Sequence, residues 1–255
     1  MKPLSLLAEL VPPGLFIRIV AFQYRFFEPE LRQLNTFVPP GRTAIDVGTW
    51  WGPWSWWLAK RASTVQAFEP NQQIYDRLRS ALPDNVTVHN VALSDHNGQA
   101  TLWSPSRGRG TEGRSSLLGQ GHEGWLAQTV STEQLDKFAF TNVGFVKIDV
   151  EGHELAVLRG AAQLIERENP NVLVEVEQAH HVDDDIENVF SFFAERGYDC
   201  TFFSRKQWQP LANFDRHEAG RLGESAKSTG LLKATFMPTN HYIHNFLFRP
   251  GRNAT

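Results

Sequence analysis

Four carboxylates stand where apolar runs end: Asp46, Glu69, Asp149 and Glu175, with Glu177 just beyond the last. Strand ends rarely carry acids for packing alone, because an unpaired buried charge costs roughly several kcal/mol. Their recurrence points to ligand binding, metal binding or proton transfer. His153 follows Asp149 by four residues, where a helical pattern begins. A histidine at a helix N-terminus is kept neutral by the dipole and can accept a proton. A hydroxyl is a poor nucleophile, so reaction at one needs such a base within reach or a cation that acidifies it. His153, oriented by Asp149 or Glu175, is the candidate base; a capping or solvated histidine is the alternative. Asp149, Glu177 and Gln178 form an oxygen-only set that suits Mg²⁺ or Mn²⁺, although nothing in their spacing requires a metal. His180-His181 lie close by in sequence.

A glycine turn supplies the second half of the pattern. The run Thr43 to Val47 reads as a buried strand, and Gly48 and Gly52 follow it, four residues apart. Glycine tolerates positive φ and lets backbone approach a ligand closely. A second apolar strand, Thr64 to Phe68, ends in Glu69-Pro70, and Glu69 comes 23 residues after Asp46. That spacing is near the one that sets an acid beside the ribose of a dinucleotide or adenosine compound. GxGxxG would need glycine where Trp50 stands, and Trp50 is too large for a pyrophosphate to lie against. The DxGxxxG form instead resembles the first motif of class I S-adenosylmethionine (SAM) methyltransferases, whose turn holds a methionine tail. Trp50 or Trp51 then becomes a candidate pocket wall.

Regular elements must position these groups. Pro53 to Arg61 reads as the first crossover helix and Asn71 to Ala81 as the second, with Ile74, Leu78 and Leu82 at helical spacing. Val86 to Val91 is the third strand; Asn90, at its end, is placed to meet an adenine edge. Asp95 in S-D-H-N-G belongs to a hairpin turn. Gln99 to Trp103 is a fourth extended piece. Ser104 to Gly124, dense in glycine and arginine, is either a surface loop or a lid over a polyhydroxylated or anionic substrate. Val143 to Val150 is a central parallel strand and Asn171 to Val176 the next. Asp185 to Arg196 is an amphipathic helix. Tyr198 to Phe203 and Ile243 to Phe248 are expected to pair antiparallel at the sheet edge. Strands alternating with helices argue for one three-layer α/β domain. The domain spans 36–255 behind an N-terminal helical arm at 1–35, with 103–130 as the lid.

Composition narrows the classes. The 255 residues carry a net charge of −3, which leaves no electrostatic footprint for nucleic acid. Cys200 is the one cysteine, so no internal disulfide forms, and a reducing, cytoplasmic setting is expected. No stretch reads as a transmembrane span or a signal peptide: Leu4 to Phe27 is apolar but is interrupted by Glu9, Arg18, Arg25 and Pro12-Pro13-Gly14. This arm is expected to pack on the main domain or on a second subunit as a homodimer; the alternative is a peripheral membrane contact through Phe16, Ile17, Phe22 and Phe26.

The motifs IDVGTWWG, AFEP, VALSDHNG, FVKIDVEGHELAVLRGA and VLVEVE resemble the FkbM family of SAM-dependent methyltransferases across roughly residues 43 to 178. The resemblance implies a Rossmann-like class I fold with a mostly parallel sheet and an antiparallel edge. It implies SAM as donor and O-methylation of sugars or natural-product hydroxyls. By position, Asp46, Gly48 and Gly52 would line the methionine end, with Trp50 of the same turn the candidate wall, and Glu69 the ribose. Asn90 to Ala92 would meet the adenine, and Asp149 would face the transferred methyl. The expected acceptor is therefore a saccharide or glycoconjugate. A lipid or polyketide hydroxyl is the alternative, ahead of a nicotinamide-dependent oxidoreductase or a non-catalytic membrane-associated scaffold. TWWGPWSWW is bulkier than the small polar turn usual in the family.

Overall fold

Strand β1 (Thr43–Val47) alternates its side chains between two cores, Ile45 and Val47 facing one and Ala44 the other. The computed structural model describes residues 10–105, 115–117, 125–176, 187–204, 206–215 and 245–251. β1 pairs in parallel with β2 (Thr64–Phe68) on one side and with β7 (Val143–Ile148) on the other. β3 (Val86–His89) extends the first side, and β8 (Asn171–Glu175) the second. The chain thus leaves β1 in one direction and later returns to its opposite flank. The crevice above the carboxyl ends at that reversal is where ligands bind in such sheets.

Among the described residues the sheet has eight strands, in the order β10-β9-β11-β8-β7-β1-β2-β3. The last three to enter are β9 (Tyr198–Ser204), β10 (Gln207–Pro210) and β11 (Asn245–Pro250). β11 runs antiparallel between β8 and β9, placing Phe246 opposite Val174 and Phe202. The two late strands therefore pair as expected, but the outer edge is β10, a short strand ending in proline, as suits an edge. The fold is mixed α/β, with a mostly parallel central sheet and an antiparallel edge.

Helices cover both faces. On one side α5 (Glu154–Arg159), α6 (Ala162–Glu168) and α7 (Glu187–Ala194) bury Leu155, Leu158, Leu164 and Phe193 against the sheet. On the other, α2 (Leu34–Phe37) and α3 (Pro53–Leu58) contribute Phe37, Trp54 and Leu58. α4 (Gln72–Leu78) is capped by the Asn71 side chain, whose Oδ1 accepts from Gln73 and Ile74 N–H; Asn71 precedes the helix it was expected to begin. Long α1 (Pro13–Phe27) packs on α3 and α4 through Phe16, Ile17 and Val20. Among the described residues no helix is long and apolar enough to cross a membrane.

The middle of the chain holds more strand than its residues suggest. Residues 103–105 and 125–130, assigned to the lid, are strand. β5 (Gly98–Pro105) and β6 (Trp125–Glu133) form an antiparallel pair, joined by β4 (Ala92–Leu93) in a second sheet of three strands. β6 is largely solvent-facing, so it lacks the continuous apolar run that marked the central strands. The rest of the expected lid lies outside the described residues, apart from residues 115–117.

Candidate active site

The turn after β1 is shaped by a close backbone crossing. Gly48 has φ +80°, and a Cβ there would lie 1.7 Å from the Asp149 carbonyl oxygen. No side chain fits between the ends of β1 and β7. The N–H groups of Gly48 and Thr49 donate to the Phe68 carbonyl, which ties the turn to β2. Gly52, at φ +78°, leads into α3 with the Leu78 and Leu82 methyls 3.1 Å from a notional Cβ. Trp50 between them also adopts a left-handed φ of +49°. Its backbone N–H donates to Glu69 Oε2 at 2.9 Å, while the Asn71 N–H donates to Oε1 at 2.8 Å.

Glu69 is thus held from behind by two backbone donors. Burial raises its pKa to about 8, against the opposing pull of those donors. Asn90 anchors the same corner, its side-chain amide donating to the Glu69 and Pro70 carbonyls at 3.0 and 3.1 Å. Asp46 is turned inward and accepts from Ser55 Oγ at 2.5 Å. Burial lifts its pKa to about 6, with the Ser55 bond opposing.

A buried cation was not anticipated. Lys147 on β7 is fully enclosed, with Nζ 3.7 Å from Asp149 Oδ2, 3.6 Å from Glu175 Oε2 and 3.3 Å from Asn245 Oδ1. Burial alone would lower its pKa. Asp149, Glu175, Glu28 and Asp46 outweigh it and hold the ammonium above its ordinary value. Burial, then the neighbouring Glu175 carboxyl, push Asp149 well above the carboxylate range, while Lys147 opposes them. Glu28 completes the cluster by accepting from Trp54 Nε1 at 2.6 Å, and burial raises its pKa to about 8.

The turn from β7 into α5 carries Glu151 and Gly152 at φ +53° and +100°, then His153 at the helix cap. His153 Nε2 lies 2.9 Å from Ser94 Oγ, at the exit of β4. Gly160, at the other end of α5, passes so near the Ser94 carbonyl that a Cβ would lie 2.0 Å from its oxygen. That packing fixes α5 against the β4 exit, and with it the His153–Ser94 contact. The expectation that Asp149 or Glu175 orients His153 is corrected here: both turn to Lys147, and Ser94 holds the imidazole. Burial lowers the His153 pKa, so the ring is neutral at pH 7. Ser94 Oγ also lies 3.2 Å from Asp95 Oδ1, which in turn meets His96 Nδ1 at 2.7 Å.

These elements enclose a cavity of about 620 Å³, counting its open mouth. Gly48, Trp50, Glu69, Ala92, Asp149 and His153 line it. Asp46, Gly52, Asn90 and Glu175 are not on its wall; they brace the residues that are. Phe68, Ile74, Val91 and Leu93 give it an apolar side. Glu177, Gln178, His180 and His181 lie outside the described residues. Among the described residues no group of three or more His, Cys, Asp or Glu is arranged to hold a metal ion.

The aromatic run beside the turn has a mechanical explanation. Trp51 packs edge-on against Phe16, and Trp50 lies 5.2 Å from Tyr24, between ring centres. Trp57 Nε1 donates to the Ala21 carbonyl. The tryptophans therefore clamp α1 to the glycine turn, while Trp50 also walls the cavity.

A family model, the methyltransferase FkbM domain, matches residues 46–200. No curated protein matches the chain. Among solved structures, the chain is similar to the methyltransferase FkbM from Methylobacillus flagellatus KT, at 14% identity and TM-score 0.49, over 82% of this chain and 43% of that one. It thus spans less than half the length of that protein. An rRNA methylase from Streptococcus thermophilus matches at 11% identity and TM-score 0.45, over 89% of this chain and 98% of that one. Precorrin-6y C5,15-methyltransferase from Geobacter metallireducens GS-15 matches at 11% identity and TM-score 0.43, over 87% and 85%.

Proposed function

The chain belongs to the FkbM methyltransferase family, and from that premise we propose that it moves a methyl from SAM to a hydroxyl of a saccharide or glycoconjugate. The observation that carries the reading is a single cavity that holds both an adenosine-type corner, Gly48 with Glu69, and a neutral proton acceptor, His153. When bound, SAM supplies an electrophilic methyl on a sulfonium sulfur.

The residues fit such a donor. Glu69 has both oxygens set by backbone donors, and each oxygen keeps lone-pair capacity for a ribose hydroxyl. The apolar side formed by Phe68, Val91 and Leu93 suits a purine. Asp149 and Glu151 also line the cavity, and their carboxyl oxygens could accept from the ammonium of a methionine tail. Trp50, a wall residue, has a buried indole Nε1 with no partner among the described residues, and that N–H could donate to a ligand acceptor.

The proton acceptor follows from the Ser94 contacts. Ser94 has one hydroxyl proton. The bond from His96 keeps Asp95 below the usual carboxylate range, so Asp95 is an ionised acceptor for that proton. Ser94 Oγ then accepts from His153 Nε2–H, and His153 Nδ1 carries the free lone pair. No protein hydrogen bond to Nδ1 is found among the described residues. An acceptor hydroxyl within reach of Nδ1 would pass its proton to that nitrogen as the oxygen–carbon bond forms and the methyl's bond to sulfur breaks, the sulfur leaving as a neutral thioether. Such general-base help is worth about 10²–10⁴-fold, and alignment in the cavity adds to it.

Incubation with methyl-labelled SAM and a panel of mono- and oligosaccharides, lipids and polyketides tests the reading. Transfer to a saccharide hydroxyl is expected. Transfer confined to lipid or polyketide hydroxyls would move the acceptor to the alternative class. Thermal stabilisation by NAD and not by S-adenosylhomocysteine would overturn the donor.

A further inference from the structure

Helix α1 is apolar on two opposite sides. Phe16, Ile17, Val20 and Ala21 are buried against the body of the protein. Leu15, Phe22 and Phe26 point outward, at 51%, 53% and 72% exposure. At about 100° per residue, Leu15, Ile19, Phe22 and Phe26 fall on one stripe roughly 60° wide, across the helix from the buried side. Among the described residues this stripe is only partly covered: Phe22 meets Trp57 edge-on and Phe26 the Arg32 guanidinium, yet both rings and Leu15 stay more than half exposed.

Among the described residues of α1, α2, α3 and the segments joining them, the charges that reach solvent share one sign, while on α4 the exposed Asp76 is paired with Arg79. From Val11 to Phe37 and from Gly52 to Arg61, the charges that reach solvent are Arg18, Arg25, Arg32, Lys60 and Arg61. The two acids in these segments, Glu28 and Glu30, are buried, and Glu28 is bonded to Trp54. Arg18 and Lys60 sit over the Trp56 ring at 5.8 and 4.6 Å, Arg25 over Trp57 at 4.6 Å, and Arg32 over Phe26 at 5.1 Å. The chain as a whole carries a charge of −3, so this cationic patch is local.

We propose that the outer face of α1 docks on an anionic lipid surface, lying in the interface without crossing it. Leu15, Phe22 and Phe26 would enter the acyl boundary, with the arginines and Lys60 at headgroup level beside Trp56 and Trp57. This is the arrangement of interfacial helices, with an apolar stripe flanked by basic and aromatic residues. A second copy of the chain is the weaker occupant. A two-fold contact through this stripe would bring the cationic set Arg18, Arg25, Arg32 and Lys60 against the same set on the other copy. The docked helix would also touch the cavity wall, since Tyr24 on its inner side meets Trp50.

The test is co-sedimentation of the full chain with vesicles of phosphatidylcholine alone and of phosphatidylcholine with one third phosphatidylglycerol. Binding to the anionic vesicles only is expected, weakening steeply with salt. Phe22→Ser with Phe26→Ser should lower the partition coefficient about tenfold or more, and Arg18→Gln with Arg32→Gln about fivefold per charge. Unchanged circular dichroism melting would show that these exposed sites do not disturb the fold. No binding by the wild type, or equal binding to neutral vesicles, would overturn the proposal without a variant. A concentration-dependent dimer by light scattering, abolished by the Phe22/Phe26 pair, would assign the face to a second copy instead.

Discussion

Replacing Glu69 by glutamine tests the donor corner with little change in shape. Both carboxylate oxygens accept a backbone N–H, one from Trp50 and one from Asn71. The glutamine amide can satisfy only one of them; its NH₂ must face the other donor. The same group would meet a ribose hydroxyl without the charge. Losing one charge-assisted bond costs about 1.5–3 kcal/mol, which weakens S-adenosylhomocysteine binding roughly 10- to 150-fold. Titration calorimetry across pH gives a second, independent readout. The Glu69 pKa is about 8 in the free protein, and donors from the ligand favour the ionised form. Wild-type affinity should therefore rise about tenfold between pH 7 and pH 9 and level off above. Glu69→Gln should lack that slope. The sign for folding is the reverse. A pKa raised from 4.5 to about 8 contributes stability that is full below 4.5 and is lost as pH rises through 8. A Glu69→Gln affinity within threefold of wild type, or a flat wild-type profile, would refute the assignment of Glu69 to the ribose.

The other expectations concern the frame around that corner. Gly48→Ala puts a Cβ 1.7 Å from the Asp149 carbonyl at a φ of +80°, so urea denaturation should show a loss above about 4 kcal/mol or no soluble protein; a wild-type midpoint would contradict the crossing. Lys147→Met removes the cation from Asp149 and Glu175 and should cost about 3–5 kcal/mol at pH 8, shrinking towards pH 4 as those carboxyls take up protons. Thermal melts across that range check it, and a pH-independent loss would count against the charge argument. Ser94→Ala should lower kcat by about tenfold or more while leaving S-adenosylhomocysteine affinity unchanged; a loss confined to affinity would remove Ser94 from the orientation of His153. Because burial depresses the His153 pKa, turnover should hold through pH 6.5 and fall only below it. A pH–rate profile that declines already above pH 7 would exclude His153 as the base.

What could be read in advance follows the physics of burial. β1, β7 and β8 are enclosed on both faces and β2 nearly so, so each is a mostly apolar run whose boundaries the residues mark to within a position or two. The bend at Gly48 and the acid at Glu69 were legible because glycine and a strand-end carboxylate are rare there without a reason. β6 and β10 were not, since half-exposed strands of mixed polarity look like loop. Lys147 was hidden inside FVKIDV; a lysine in a buried run was itself the signal, because it demands several carboxylates around it. Asp46 showed the opposite error. It stands at a strand end like the others, yet its carboxylate turns to Ser55, nine residues on, and not to the cavity. The Ser94–His153 contact joins groups 59 residues apart through the packing of Gly160, and no local pattern announces it.

The most direct measurement is a crystal structure of the protein with S-adenosylhomocysteine. The account predicts both ribose hydroxyls within hydrogen-bond reach of Glu69. It also places the purine against Phe68, Val91 and Leu93, and the sulfur towards Asp149 and His153. A nucleoside bound elsewhere, or one in this cavity that leaves Glu69 untouched behind the Trp50 indole, would contradict it.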